Sequence, residues 1–160
     1  MKLKMIAAAS AMALTALSSQ AASNNWGAHD PFEVGGNTVS GAVFDTFLFS
    51  LGTGSMLTSS VIANPGSFVG AAYTLYSTGA DHVIGGTDDT LVGAWGFNTV
   101  NTVTLGTGSY YYSVLGGAVG SSTYAISSVA APVPEPETYA LLGAGLGVVG
   151  FLASRRRRES

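Results

Sequence analysis

Apolar and polar residues alternate with a period of two through the middle of the chain, and this period predicts strands. The clearest run is residues 38–51, where Val43, Asp45, Phe47, Phe49 and Leu51 fall on one strand face. That row sets a single carboxylate among apolar neighbours. After Gly52-Thr53-Gly54 a second strand is expected over 55–63, and after Asn64-Pro65-Gly66 a third over 67–77. Shorter runs are expected at 81–84, 90–97 and 99–105. Gly106-Thr107-Gly108 then turns into 109–115, where Tyr110, Tyr112 and Val114 share a face and Tyr111 points the opposite way, and a last strand is expected over 123–129. No amphipathic helical period interleaves with these runs, which favours a sandwich over a parallel α/β sheet. The expected fold is all-β, a small antiparallel β-sandwich of jelly-roll type occupying residues 22–131.

The two ends follow other patterns. Residues 1–21 read as a secretory signal peptide: Lys2 and Lys4 precede an apolar run over 5–17, and small residues at Ser19 and Ala21 suit signal peptidase. Cleavage is expected after Ala21 or Ala22. At the other end Val133, Pro134, Glu135, Pro136, Glu137 and Thr138 form a segment that proline keeps extended. An uncharged apolar run leads on to Ala153, and Arg155, Arg156, Arg157 and Arg158 follow. Apolar residues ending in arginines read as a stop-transfer signal, with a transmembrane helix over 138–154, the body outside and the arginines inside. The run is short for a span and relies on Thr138, Ser154 and snorkelling arginines to reach the required length.

Charge sharpens this picture. All six basic residues sit in the two ends, and between Met5 and Ser154 there is none, against eight carboxylates. A chain body without Lys or Arg cannot neutralise phosphates, so nucleic-acid binding is excluded. Cysteine is absent as well, which removes disulfides, thiolate nucleophiles and Cys-ligated metals.

The ordered tail, Val133-Pro134-Glu135-Pro136, Thr138, Leu141-Leu142-Gly143, an apolar helix and the arginine cluster, resembles a PEP-CTERM sorting signal over residues 132–160. The resemblance implies recognition by exosortase, a membrane cysteine transpeptidase of Gram-negative bacteria that also make exopolysaccharide. That enzyme cleaves near the Pro-Glu-Pro motif and releases or transfers the body. Val43-Phe44-Asp45-Thr46-Phe47 is similar to the motif of the FxDxF subgroup of such proteins, with Val in place of the first Phe. Tyr110-Tyr111-Tyr112-Ser113-Val114-Leu115-Gly116-Gly117, with Gly120 and Tyr124, resembles the closing hairpin of that subgroup. Neither resemblance implies an enzymatic activity.

Several residues could still carry chemistry. Asp45 needs hydrogen-bond donors or a cation if it is buried, and is either a structural carboxylate or a metal ligand. Asp81, Asp88 and Asp89 surround Gly85-Gly86, where the choice is a solvated acidic turn or a Ca²⁺ site; no cofactor is required. His29 and His82 match no zinc spacing, and no Gly-x-Ser-x-Gly elbow is present for a hydrolase, although His82 stands beside Asp81. Trp26, Trp95 and Tyr111 could stack on sugars, or could pack in the core. The expectation is a non-enzymatic envelope or extracellular-matrix protein associated with exopolysaccharide or biofilm, with a carbohydrate-binding module as the alternative and a hydrolase behind it. Its partners would be signal peptidase, exosortase, the inner membrane transiently, and exopolysaccharide.

Overall fold

A computed structural model describes residues 21–134 and 136–158. Seven strands are followed by one helix: β1 (Ser23–Ala28), β2 (Phe32–Leu51), β3 (Ser55–Ala63), β4 (Ser67–Ser77), β5 (Thr90–Gly96), β6 (Val100–Leu105), β7 (Gly108–Pro132) and α1 (Pro136–Arg158). The signal peptide expected over 1–21 falls, except for Ala21, outside the described residues.

Two long strands organise the sheet. β2 pairs with β7 over its whole length, antiparallel, from Phe32↔Val129 to Leu51↔Gly108. The register shifts at Ser40/Gly41, where Val119 and Gly120 on β7 have no partner on β2. Gly41 and Gly120 take left-handed φ values of 89° and 66° at this bend, which glycine adopts without steric cost. An insertion of two residues bends the ribbon yet keeps the side-chain alternation in phase. One limb of the bent ribbon therefore pairs β2 with β1 and β7 with β4, which carries β5. The other limb pairs β7 with β3, which carries β6.

The limbs face each other as a sandwich, and the inward rows meet between them. Val43, Asp45, Phe47, Phe49 and Leu51 are all buried, as the alternation requires. Opposite them lie Leu57, Val61, Tyr124 and Ile126. Burying each large apolar side chain is worth about 1.5–3 kcal/mol, so this interior supplies most of the drive to fold.

The structure departs from the sequence expectation in four places. The sheet is mixed rather than wholly antiparallel, because β1 runs parallel to β2. A parallel neighbour needs a crossover, and the first half of β2, lying in the other limb, provides it. The runs at 109–115 and 123–129 are one strand, β7, continuous through the bend. Residues 81–84 form turns instead of a strand. The tail is helical, but among the described residues no helix is long and apolar enough to cross a membrane. The expected span of 138–154 covers roughly 25 Å at ~1.5 Å per residue, against a hydrocarbon core of ~30 Å.

Candidate functional site

The C-terminal segment is built where the sheet lets go of the chain. β7 ends paired with β3 at Ser55↔Pro132, and Val133 N–H donates to Gly54 O at 2.9 Å, which is the last backbone bond holding the chain to the sheet. Val133 and Pro134 are exposed and belong to no regular element. Proline at 134 and 136 removes two amide donors, so this stretch cannot join a sheet edge and stays open to a cleft that binds extended backbone. Glu135 lies outside the described residues.

α1 begins at Pro136, which suits a first helical turn because its missing N–H has no intrahelical partner there. Glu137 lies in that first turn and the arginines in the last, each opposite in sign to the helix-dipole charge at its end. Between them Tyr139, Leu141, Leu142, Leu146, Val148, Val149 and Phe151 are all exposed, Leu141 at 74%. These positions surround the helix instead of marking one stripe. A helix apolar on every side belongs in an apolar environment.

The other candidates divide by burial. Asp45 is fully buried and held by three donors: Ala22 N–H to Oδ1 at 2.7 Å, Asn37 Nδ2 to Oδ2 at 3.2 Å, and the Tyr124 hydroxyl to Oδ2. Burial, and next the bond to Asp45, push the Tyr124 hydroxyl well above the ordinary tyrosine range. The donors come from β2, from β7 and from the residue just before β1, and Asp45 is not among the carboxylates that converge near 81–89.

Asp81, Asp88 and Asp89 do converge, each offering an oxygen within 4.8 Å of the others. Asp88 Oδ2 accepts Ala80 N–H at 2.7 Å and Asp81 N–H at 3.3 Å. The Ala80 bond leads in holding the Asp88 carboxyl below its usual range. Asp81 accepts Val83 N–H at 2.9 Å, and Asp89 Oδ2 accepts Gly85 N–H at 2.8 Å and the Tyr111 hydroxyl at 2.7 Å. These bonds close the loop between β4 and β5 on itself. His82 sits exposed in the same loop, in a left-handed turn conformation with φ 57°.

Tyr111 is only 6% exposed, with its ring stacked on Tyr76 at 5.3 Å, so it presents no free face to a sugar. The next residue, Tyr112, has its hydroxyl pushed up to about 12, chiefly by burial. Trp26 packs against Phe47 at 5.3 Å and near Phe49 and Tyr112, while Trp95 packs against Tyr73 at 5.3 Å. Both indoles thus serve as half-buried edges of the core.

One pairing was invisible in the sequence. His29 Nε2 and Ser128 Oγ lie 2.8 Å apart, a separation of 99 residues, with the Tyr112 hydroxyl 3.1 Å from the same Oγ. The distance suits a serine and its base, but Ser128 has no exposed surface, so no substrate reaches it. The cluster bridges the two limbs, as do Tyr73 with Ser59 and Tyr124 with Asp45.

Likeness to known proteins separates body from tail. No curated protein matches the chain. Among solved structures it is similar to the periplasmic inhibitor of g-type lysozyme PliG of Aeromonas hydrophila, at 10% identity and TM-score 0.50, over 70% of this chain and all of that one. It is also similar to the pre-peptidase C-terminal domain of a Bacillus anthracis collagenase (15% identity, TM-score 0.49, 69% and 98% covered). A third is the Yersinia pseudotuberculosis-derived mitogen (11% identity, TM-score 0.48, 66% and 90% covered). At such identities the likeness is one of fold alone, a β domain. The tail is different: the family model of the PEP-CTERM protein-sorting motif matches residues 132–158, so the strand end, the extended proline segment and the arginine-tipped helix are together a PEP-CTERM sorting signal.

Proposed function

We propose that this is an exported, non-enzymatic protein of the cell envelope or extracellular matrix of a Gram-negative bacterium, delivered by exosortase. The observation that carries the reading is the way the chain leaves the sheet. The last backbone bond is made at Val133, and the Pro-Glu-Pro segment follows directly, before a helix apolar on all sides. A Sec-type leader carries the body across the inner membrane, and signal peptidase removes it. The apolar stretch of α1 is too short to span unaided, and the helix seats in the bilayer with its arginines snorkelling to the inner face. Exosortase then cuts the exposed segment, and the body moves to the surface, where its Ser- and Thr-rich strands associate with exopolysaccharide or biofilm.

The non-enzymatic reading is supported by the burial of Ser128, the one serine paired with His29, and by the placement of His82 on an exposed acidic turn. The FxDxF subgroup is supported by the use this fold makes of Asp45. A carbohydrate-binding role would need surfaces other than Trp26, Trp95 and Tyr111, whose rings are engaged in packing.

Replacing Pro134-Glu135-Pro136 by three alanines tests the proposal. Export should continue while an uncleaved, membrane-associated form accumulates, and the wild-type chain should behave in the same way in cells lacking exosortase. Mass spectrometry of the mature C-terminus gives the answer: a protein still ending at Ser160 in wild-type cells refutes sorting.

A further inference from the structure

The Asp45 pocket lacks one component that the sequence can supply only after processing. A buried carboxylate is costly unless charge and hydrogen bonds compensate it. From Met5 to Ser154 the chain has no Lys or Arg. Asp45 is fully buried, and the Ala22 N–H donates to its Oδ1 at 2.7 Å. Ala22 is also fixed by its carbonyl, which accepts Thr46 N–H at 2.8 Å, and the next residue pairs in register, Ser23↔Thr46. The nitrogen that touches Asp45 therefore belongs to the residue that begins the chain if signal peptidase cuts after Ala21.

We propose that this cleavage creates the counter-ion of Asp45: the new α-ammonium of Ala22 forms an ion pair with the buried carboxylate and locks β1 onto β2. The proposal rests on the reading that the leader ends at Ala21. Hydrolysis of the Ala21–Ala22 bond consumes one water, leaving a carboxylate on Ala21 and an amine on Ala22 that takes up a proton. A neutral amide donor thereby becomes a charged one, and charge-assisted bonds are roughly twice as strong as neutral ones. The effect reaches the core because β1 carries Trp26, whose indole packs on Phe47, Phe49 and Tyr112. Exported, processed protein gains a tighter first strand than its precursor, so the fold is completed on the far side of the membrane.

The sequence provides a clean assay. Lys2 and Lys4 leave with the leader, and the remaining chain contains no lysine, so its α-amine is the only amine available for acylation. The full chain is expressed with its leader, purified after export, and its N-terminus read by mass spectrometry. Labelling by an N-hydroxysuccinimide acetate at pH 7.5 is then timed in the native protein and in 8 M urea, with free amines expected to have a pKa of ~7.7–8.0. An N-terminus at Ala22 and native labelling at least about tenfold slower than in urea are expected, since an opposite charge nearby favours the protonated form. Asp45→Asn should restore labelling to within about twofold of the urea rate. Should that variant fail to fold, wild-type protein acetylated in urea and refolded should melt several degrees below its unacetylated counterpart. An N-terminus other than Ala22 overturns the cleavage reading. Ala22 with native labelling as fast as in urea, or acetylation without effect on melting, overturns the ion pair alone.

Discussion

Asp45→Ala is the most incisive perturbation of the body, because one buried carboxylate collects donors from β2, from β7 and from the residue that leads into β1. Its removal strands the Tyr124 hydroxyl, which is buried and has Asp45 as its hydrogen-bond acceptor. An unsatisfied buried hydroxyl costs about 1–3 kcal/mol, and losing bonds to a charged acceptor costs about 1.5–3 kcal/mol more. Ala22 and Asn37 are half-buried and can turn to water once Asp45 is gone, so neither adds a stranded-donor penalty. The expected loss is about 3–5 kcal/mol, a large part of the ~5–15 kcal/mol that holds an ordinary domain. The melting temperature should fall on the order of 15 °C at about 4 °C per kcal/mol. Urea unfolding of the mature protein, followed by circular dichroism and Trp fluorescence, measures this directly. Tyr124→Phe should cost about 2 kcal/mol, and the double variant should cost less than the sum of the singles, because it leaves no hydroxyl stranded. A loss below 1 kcal/mol for Asp45→Ala, or strict additivity in the cycle, would refute the assigned network.

Other outcomes follow from the same geometry. Tyr112 ionises at about 12 in the fold against ~10 when unfolded, so its contribution is intact below pH 10 and is lost as pH rises towards 12, by about 3 kcal/mol in full. Tyr111 and Tyr124 are raised too and add in the same direction, so the urea midpoint should fall steeply above pH 10; a flat midpoint between pH 9 and 11.5 would contradict the burial of these hydroxyls. Gly66→Ala should destabilise by about 2 kcal/mol or more, since φ is 105° and the added Cβ would stand 2.7 Å from the Ser122 Cα. Ser122 cannot yield, because its hydroxyl bonds Ser67 and Val119, and an unchanged urea midpoint would contradict this packing. On the proposed sorting route, deleting Arg155–Arg158 should shift unprocessed precursor from the membrane fraction to the periplasmic fraction, measured by immunoblot of both, because the short apolar run would then lack the charges that stop its transfer.

How much could be read in advance depends on how far each feature reaches along the chain. β3 and β4 begin and end where the sequence reading placed them, because Gly52-Thr53-Gly54 and Asn64-Pro65-Gly66 act through their own backbone preferences. The inward row from Val43 to Leu51 follows from the alternation of side chains along a strand, and the sorting segment is legible because proline, apolar helix and arginines work in sequence order. β1 carries no such mark. Ser23-Asn24-Asn25-Trp26 is a strand because β2 offers it a free edge and the core offers Trp26 a place, and the parallel pairing follows only when β2 bends. The fusion of two expected strands into β7 likewise depends on the bend at Gly41 and Gly120, a property of the paired ribbon. Residues 81–84 lost their strand because Asp81 and Asp88 captured the local amides that a ladder would have used. Alternation along the strand thus places Asp45 in an apolar row, where burial would call for donors or a cation. Its donors lie 8, 23 and 79 residues away, and only tertiary structure brings together groups whose separation along the chain exceeds the reach of any local preference.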